Sequence, residues 1–242
     1  MIQTKLNEYS AACENKNNEE AGKIIDQIVD LVKRKSNLTG DAVWHFGSIL
    51  LCSPERHVEC LPVFVAASCL VMRKASNWKT TNEEWRRALS IAQRCARGMY
   101  LAISKIIKCG CIDRDVVRHH IIPLIIGIRD EMEKARSVHK KQRSVAAVRV
   151  MLFAGQSAAE NSDLDLALKI YEDGLARLDK VVRKIHTTTK IYCFICEQMG
   201  YVFEEMKRLD DAIFWFKEAI DVHKSLQNYG KIIFSFGNIG WT

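Results

Sequence analysis

Two pairs of closely spaced cysteines have the residue type and spacing that come nearest to a chemical site. Cys109 and Cys111 form one pair, and Cys193 and Cys196 form the other. Four thiolates of this kind can hold zinc, which accepts tetrahedral sulfur coordination. A zinc-binding CxxC pair usually sits on a turn, whereas Cys196 lies in a stretch with helical periodicity and is expected to face a core as a small apolar residue. The sequence therefore predicts no metal site.

Other patterns that carry catalysis or hold cofactors are missing from the sequence. The 12 glycines are isolated, so there is no phosphate-cradling loop, dinucleotide fingerprint or nucleophile elbow. His119 and His120 have no i, i+4 histidine partner of the kind that ligates a metal on a helix. The carboxylates of Asp210 and Asp211 are explained by helix capping, with Asp210 expected to cap the helix that follows it. We predict a protein that is not an enzyme and has no cofactor.

Composition favours an all-helical chain with a large core. The 242 residues are 48% hydrophobic and 27% charged, with a net charge of +7 and only three prolines. This is the composition of an ordinary globular protein, and it lacks the turn residues that a β-sandwich needs. The apolar stretch 58–72 contains Glu59 and Pro62 and is shorter than the roughly 20 residues of a membrane span, so it is predicted to be a buried helix.

Cysteine usage and the N-terminal residues predict the cytoplasm. Nine cysteines are scattered through helical patterns, and an odd number in such positions is typical of reduced thiols. The first five residues show no basic segment followed by an apolar core, so no secretory signal is visible.

A pattern of small and large residues recurs towards the C-terminus and predicts two pairs of packed helices. Small residues are placed where paired helices would cross, and large apolar residues fill the seam beside them. The second pair repeats the first at an offset of 45 residues. The predicted packing positions are Ala154, Gly155, Ala167, Tyr171 and Gly174 in the first pair, and Met199, Gly200, Phe203, Ala212, Phe216 and Ala219 in the second.

This arrangement resembles the tetratricopeptide repeat, most clearly over residues 148–226 and weakly over 41–74. The resemblance implies an all-α, right-handed α-solenoid of antiparallel helical pairs that serves as a scaffold or adaptor. Its concave groove would be lined by the first helix of each repeat and would bind a peptide or helix of another protein. The groove residues implied are Gln156, Ala159, Glu197, Tyr201 and Glu204. Repeats that clamp a chaperone tail carry Lys and Asn at positions where this chain has Leu152 and Gln156, or Glu197 and Tyr201, which argues against such a partner.

The template divides the chain into two regions. Residues 1–110 are expected to hold N-terminal helical pairs that resemble the repeat weakly. Residues 111–242 hold the repeats at about 148–182 and 193–226, with an incomplete one from 229. The template fails between 82 and 147, where we expect an irregular helical segment. An uncapped apolar helix from 229 onwards would leave the chain prone to self-association, or mark it as part of a longer repeat protein.

A basic cluster around residues 134–149 is the densest charge in the chain, and three interpretations stay open. It is a solvated helix surface, a surface for an acidic protein, or a phosphate-binding surface whose affinity would fall with salt. The aromatic residues that stack on single strands are not interleaved with it. A nucleic-acid-associated helical repeat protein is therefore the alternative function. The cluster comprises Lys134, Arg136, Lys140, Lys141, Arg143 and Arg149.

Overall fold

Ten α-helices and one π-helical turn account for nearly all of the chain that the computed structural model describes. The described residues are 2–15, 17, 19–20, 23–24, 27–28, 31, 40–52, 56–75, 82–110, 113–134, 140–181 and 186–225, and none of them forms a strand. The helices are α1 (Ile2–Glu14), α2 (Gly40–Cys52), α3 (His57–Ala75), α4 (Asn82–Cys109), α5 (Arg114–Val116), α6 (Ile122–Lys134), α7 (Lys140–Glu160), α8 (Leu164–Val181), α9 (His186–Glu205) and α10 (Leu209–Ser225). The π-helical turn, Val117–Ile121, joins α5 to α6.

Neighbouring helices pack in pairs around one large core, and a small second cluster of Cys193, Cys196 and Ala219 lies in the last pair. The pairs that make the most extensive contacts are α2 with α3, α3 with α4, α7 with α8, and α9 with α10. Helix α7 also packs on α4 and α6, so the core crosses residue 110 without a break. It runs from Leu6 in α1 to Phe216 in α10. The all-helical prediction is confirmed for the described residues, and the stretch 58–72 lies within the largely buried helix α3.

The hairpins α7–α8 and α9–α10 are built alike, 45 residues apart. In the first turn, the N–H groups of Ser162 and Asp163 donate to the carbonyls of Ala159 and Ala158. In the second turn, the corresponding bonds run from Lys207 and Arg208 to the carbonyls of Glu204 and Phe203. This pair of bonds is the Schellman arrangement, which satisfies carbonyls that the end of a helix would otherwise leave unpaired.

Both turns place a residue other than glycine in the left-handed region. Ser162 has φ 60° and Lys207 has φ 62°. Glycine is favoured at this position because its missing Cβ removes the clash with the backbone. The guanidinium of Arg208 lies 4.6 Å from the ring centroid of Phe203, a contact that closes the second turn from outside. Helix α10 begins at Leu209, so Asp210 lies in its first turn and not at the predicted cap position.

A glycine in the first helix of each hairpin receives an aromatic side chain from the second. A Cβ on Gly200 would lie 2.5 Å from the ring of Phe216, and one on Gly155 would overlap Tyr171. The same device occurs earlier in the chain, where Phe64 of α3 approaches both Gly47 of α2 and Gly98 of α4. The packing positions singled out from the sequence in these two C-terminal hairpins are all buried.

The middle of the chain contains a long helix followed by an interrupted one. Helix α4 ends at Cys109, and Gly110 follows it with φ +67°. In the π-helical turn, the N–H of Ile122 donates to the carbonyl of Val117, one residue further back than in an α-helix. Pro123 follows directly, and its ring crowds the carbonyl four residues before it. The wider turn relieves this clash, which is why the irregularity lies here.

We expect Gly200→Ala to destabilise the protein by about 1–3 kcal/mol, because its new methyl group would be driven into the Phe216 ring. Gly127→Ala in α6 is the matched control, since nothing lies within 4 Å of the Cβ it would introduce. The control should stabilise the helix by roughly 0.5–1 kcal/mol, because alanine loses less backbone entropy than glycine. Urea unfolding followed by circular dichroism measures both, and equal stabilities would contradict the proposed close contact.

Lys207→Gly should stabilise the protein by up to about 1 kcal/mol, because it relieves a left-handed backbone at the end of α9. Lys217→Gly, at an exposed site inside α10, should cost about 1 kcal/mol instead. Thermal unfolding of the two variants should therefore shift in opposite directions. Two downward shifts would show that the Lys207 side chain contributes more than its backbone strain costs.

Candidate functional site

Three of the predicted groove residues, together with Gln198, form a polar surface on helices α7 and α9. Gln156, Gln198, Tyr201 and Glu204 are each partly exposed. The amide Nε2 of Gln156 donates to Oε1 of Gln198 at 3.4 Å, a long hydrogen bond that links the two helices. Gln198 was not among the residues predicted from the sequence, although it lies one position after Glu197. Ala159 is also partly exposed, on the last turn of α7.

Tyr201 is part of the exposed surface and also packs within the hairpin. Its ring lies 5.2 Å from that of Phe216 at an interplanar angle of 71°. This edge-to-face arrangement is the favoured one for aromatic pairs. Since Phe216 fills the cleft at Gly200, Tyr201 covers the same crossing from outside. A partner bound to this face would therefore contact the Tyr201 ring, which its packing on Phe216 already keeps in place.

Glu197 lies away from the predicted groove. Only 6% of its surface is exposed, and its Oε1 lies 3.0 Å from Nε2 of His223 in α10. The carboxylate therefore points into the seam of the α9–α10 hairpin. A buried carboxylate is costly unless it is paired, so this contact explains how the hairpin accommodates it.

Cys193 completes a buried polar cluster with Glu197 and His223, which we call the polar trio. Cys193 and Glu197 are four residues apart and share one face of α9, and His223 faces them from α10. The Sγ atom of Cys193 lies 3.2 Å from Nε2 of His223. One potential ligand atom from each residue lies within 4.8 Å of the others. Among the described residues this is the one group of three or more such side chains so arranged.

Hydrogen bonds satisfy the polar trio except at one atom. Glu197 and Cys193 both contact Nε2 of His223, and the Cys193 thiol also donates to the carbonyl of Ala219 at 3.5 Å, but Nδ1 of His223 has no hydrogen-bond partner among the described residues. With the proton on Nε2, the Nδ1 lone pair is buried unpaired; with it on Nδ1, that N–H is unpaired instead. A catalytic triad would place the nucleophile and the orienting carboxylate on different ring nitrogens. The arrangement therefore lacks the geometry of a cysteine nucleophile with its base.

The four-cysteine cluster weighed from the sequence is not assembled in the described part of the chain. Cys109 is exposed at the end of α4, Cys193 and Cys196 are buried in the α9–α10 hairpin, and Cys111 lies outside the described residues. The signal for the polar trio was present in the sequence as an i, i+4 pair at 193 and 197. It was missed because His223 lies 26 residues further on and no cysteine spacing points to it.

The basic cluster is described only in part. Arg149 is partly exposed, and its Nη1 donates to Oε1 of Gln93 at 3.4 Å. Lys134 ends α6, and Lys140, Lys141 and Arg143 lie at the start of α7, but their side chains are outside the described structure. Arg136, like the segment from 229 onwards, lies outside the described residues.

Two exposed apolar side chains on α10 were not anticipated. Phe214 is 55% exposed and Leu209 is 42% exposed. The Phe214 ring packs edge-on against Trp215, with centroids 5.3 Å apart. Phe214 is two residues before Phe216 on α10, so its side chain points away from the Phe216 contact with Gly200, whereas Leu209 is the first residue of the helix.

No protein-family model matches the chain, and no curated protein matches it either. None of the described helices combines the length and the apolar character that crossing a membrane requires.

Alkylation should separate the cysteines by burial. Cys60, Cys95 and Cys196 are buried, and burial raises the pKa of each thiol, to about 12 for Cys196. The thiolate is the reactive form, so these three should resist iodoacetamide at pH 8 in the native protein. Exposed Cys52 and Cys109 should react at least tenfold faster.

Peptide mass spectrometry after timed quenching gives the alkylation rate for each cysteine. The denatured protein serves as the control, since all of its thiols should react alike. Fast native labelling of Cys95 or Cys196 would contradict the packing described above.

Proposed function

We propose that this protein is a non-enzymatic scaffold: a right-handed solenoid of tetratricopeptide-like hairpins that binds a peptide or helix of another protein. The observation that supports this most directly is the repeated hairpin. The turns at Ser162 and Lys207 share hydrogen bonds and backbone angles, and the Gly155 and Gly200 clefts are filled in the same way. Repetition of one packing unit is how solenoids build an extended binding surface.

The proposed binding surface is the side of α7 and α9 that carries Gln156, Gln198, Tyr201 and Glu204. These residues offer amides, a carboxylate and an aromatic edge, which suit a peptide with polar backbone groups and a basic side chain. The side chains come from rigid helices and are spaced by the 45-residue repeat. Because Glu197 is turned into the hairpin seam, it is left out of this surface.

We further propose that the protein works in the cytoplasm. Cys52, at the end of α2, is an exposed free thiol. Reducing compartments such as the cytoplasm keep exposed thiols reduced. Nucleic-acid binding by the basic cluster is the second candidate function, and crosslinking distinguishes it from protein binding.

Site-specific crosslinking tests the scaffold. A photoreactive amino acid placed at Gln156 or at Tyr201 should crosslink a discrete protein partner in cells. The matched control is Lys217, exposed on α10 and away from the proposed surface. We expect at least tenfold more crosslinked product from the two surface positions than from the control. Adding Glu204→Arg should reduce the yield, because the substitution reverses the charge offered to the partner.

Two results would contradict the proposal. Equal crosslinking at Lys217 would show contact without a preferred surface. Crosslinks to nucleic acid, lost when Lys140, Lys141 and Arg143 are changed to Glu, would favour the alternative function.

A further inference from the structure

We propose that Cys193, Glu197 and His223 form a binding site for a divalent transition-metal ion of the zinc class within the α9–α10 hairpin. This inference is independent of the proposed scaffold function. It also reverses the expectation, drawn from cysteine spacing, that the chain has no metal site. The polar trio supplies a thiolate, a carboxylate oxygen and an imidazole nitrogen, which are the three ligand types that zinc takes in proteins.

The geometry fits after a small outward adjustment. In tetrahedral zinc sites with metal–ligand lengths of about 2.0–2.3 Å, neighbouring ligand atoms lie roughly 3.3–3.6 Å apart. The observed separations are 3.2 Å from Sγ of Cys193 to Nε2 of His223 and 3.0 Å from that nitrogen to Oε1 of Glu197. These two separations must open by a few tenths of an ångström, and the third, between the ligand atoms of Cys193 and Glu197, is no more than 4.8 Å. Water can fill the fourth position, as it does in zinc sites with three protein ligands.

A cation would give the three side chains one shared centre at Nε2. Without it, Nε2 faces both the Glu197 carboxylate and Sγ of Cys193, whose thiol donates to the carbonyl of Ala219 at 3.5 Å. With an ion between the three atoms, each directs a lone pair at the same centre. The buried carboxylate then gains a positive partner that does not depend on protonation of His223. The proton of the neutral imidazole, the form in which histidine ligates metals, then lies on Nδ1, which has no acceptor among the described residues.

The sister hairpin shows that packing alone does not require these polar residues. At positions 45 residues earlier, α7 carries Val148 and Leu152, and α8 carries Leu178. These three side chains are buried, with exposures of 0%, 7% and 2%. The same seam is therefore filled by apolar residues in one hairpin and by three metal-ligating residues in the other. Buried polar groups cost more than apolar ones of similar size, so their presence together points to a ligand.

The position of the trio provides an access route. His223 is in the last turn of α10, two residues before the helix ends at Ser225. Helix ends fray, and a short opening of this turn would expose the three ligand atoms to the solvent. Bound metal would in turn hold that end of α10 against α9. We therefore expect metal binding to stabilise this hairpin in particular.

Cobalt titration tests the proposal. Chelator-treated, reduced full-length protein should bind one Co²⁺ per chain and develop a near-ultraviolet thiolate-to-cobalt absorption, which Zn²⁺ then displaces. Cys193→Ser and His223→Gln should lose the absorption and bind Zn²⁺ at least 100-fold more weakly. Glu197→Gln should weaken binding at least tenfold. Cys196→Ser, a neighbouring buried thiol outside the trio, should keep full stoichiometry and the absorption.

A triple variant distinguishes loss of the metal ligands from loss of the fold. Cys193→Val, Glu197→Leu and His223→Leu together install the residues of the sister hairpin, so this protein should stay folded by circular dichroism. Its melting temperature should not respond to Zn²⁺, whereas that of the wild type should rise by several degrees. Zinc should also slow alkylation of Cys193 in the wild type at least tenfold in mild urea.

Three outcomes would overturn the metal site. The first is a folded wild type that shows no cobalt absorption. The second is loss of the absorption in Cys196→Ser. The third is a triple variant that still responds to Zn²⁺, since the ion would then be held elsewhere.

Discussion

The entry of one aromatic ring into a glycine cleft is the contact on which the C-terminal hairpins depend. Phe216 reaches the backbone of α9 because Gly200 has no side chain, and Tyr171 does the same at Gly155. A methyl group at either glycine would separate the two helices, and the small residues beside the crossing would then face a gap. The cost of such overpacking comes from neighbours that cannot all move at once. The turn residues also help to set how the two helices pack, because they fix where the second helix of each hairpin begins.

This contact also sets the register that brings the polar trio together. Cys193 lies seven residues before Gly200, and His223 lies seven residues after Phe216. In antiparallel helices, equal distances from the crossing place two residues opposite each other, about 10 Å along the axis from the contact. A shift of one residue in α10 would turn His223 away from α9. The same register places Val148 opposite Leu178 in the sister hairpin, where an apolar pair results.

Local patterns could be predicted from the sequence, whereas side-chain partners across the hairpin could not. The glycine and aromatic positions follow a fixed spacing, so the sequence alone was enough to predict their burial. Asp210 was assigned as a cap because aspartate favours that position, but the Schellman turn ends one residue earlier and α10 starts at Leu209. Glu197 was expected to line the groove because the repeat template leaves its position free. The template carries no information about His223, whose presence in α10 draws the carboxylate inward.

Helix α9 links the two proposed sites. Glu197 and Cys193 face α10, while Gln198, Tyr201 and Glu204 lie on more exposed parts of the same helix. In the proposed solenoid each hairpin would contact mainly its neighbours, so its stability would be largely local. We expect the polar trio in the α9–α10 seam to cost that hairpin more stability than the apolar seam costs α7–α8. An ion that pairs with the trio would restore the lost stability and hold α9 at a fixed angle to α10. The partner surface on α9 would then be ordered before a peptide arrives, which lowers the entropy cost of binding.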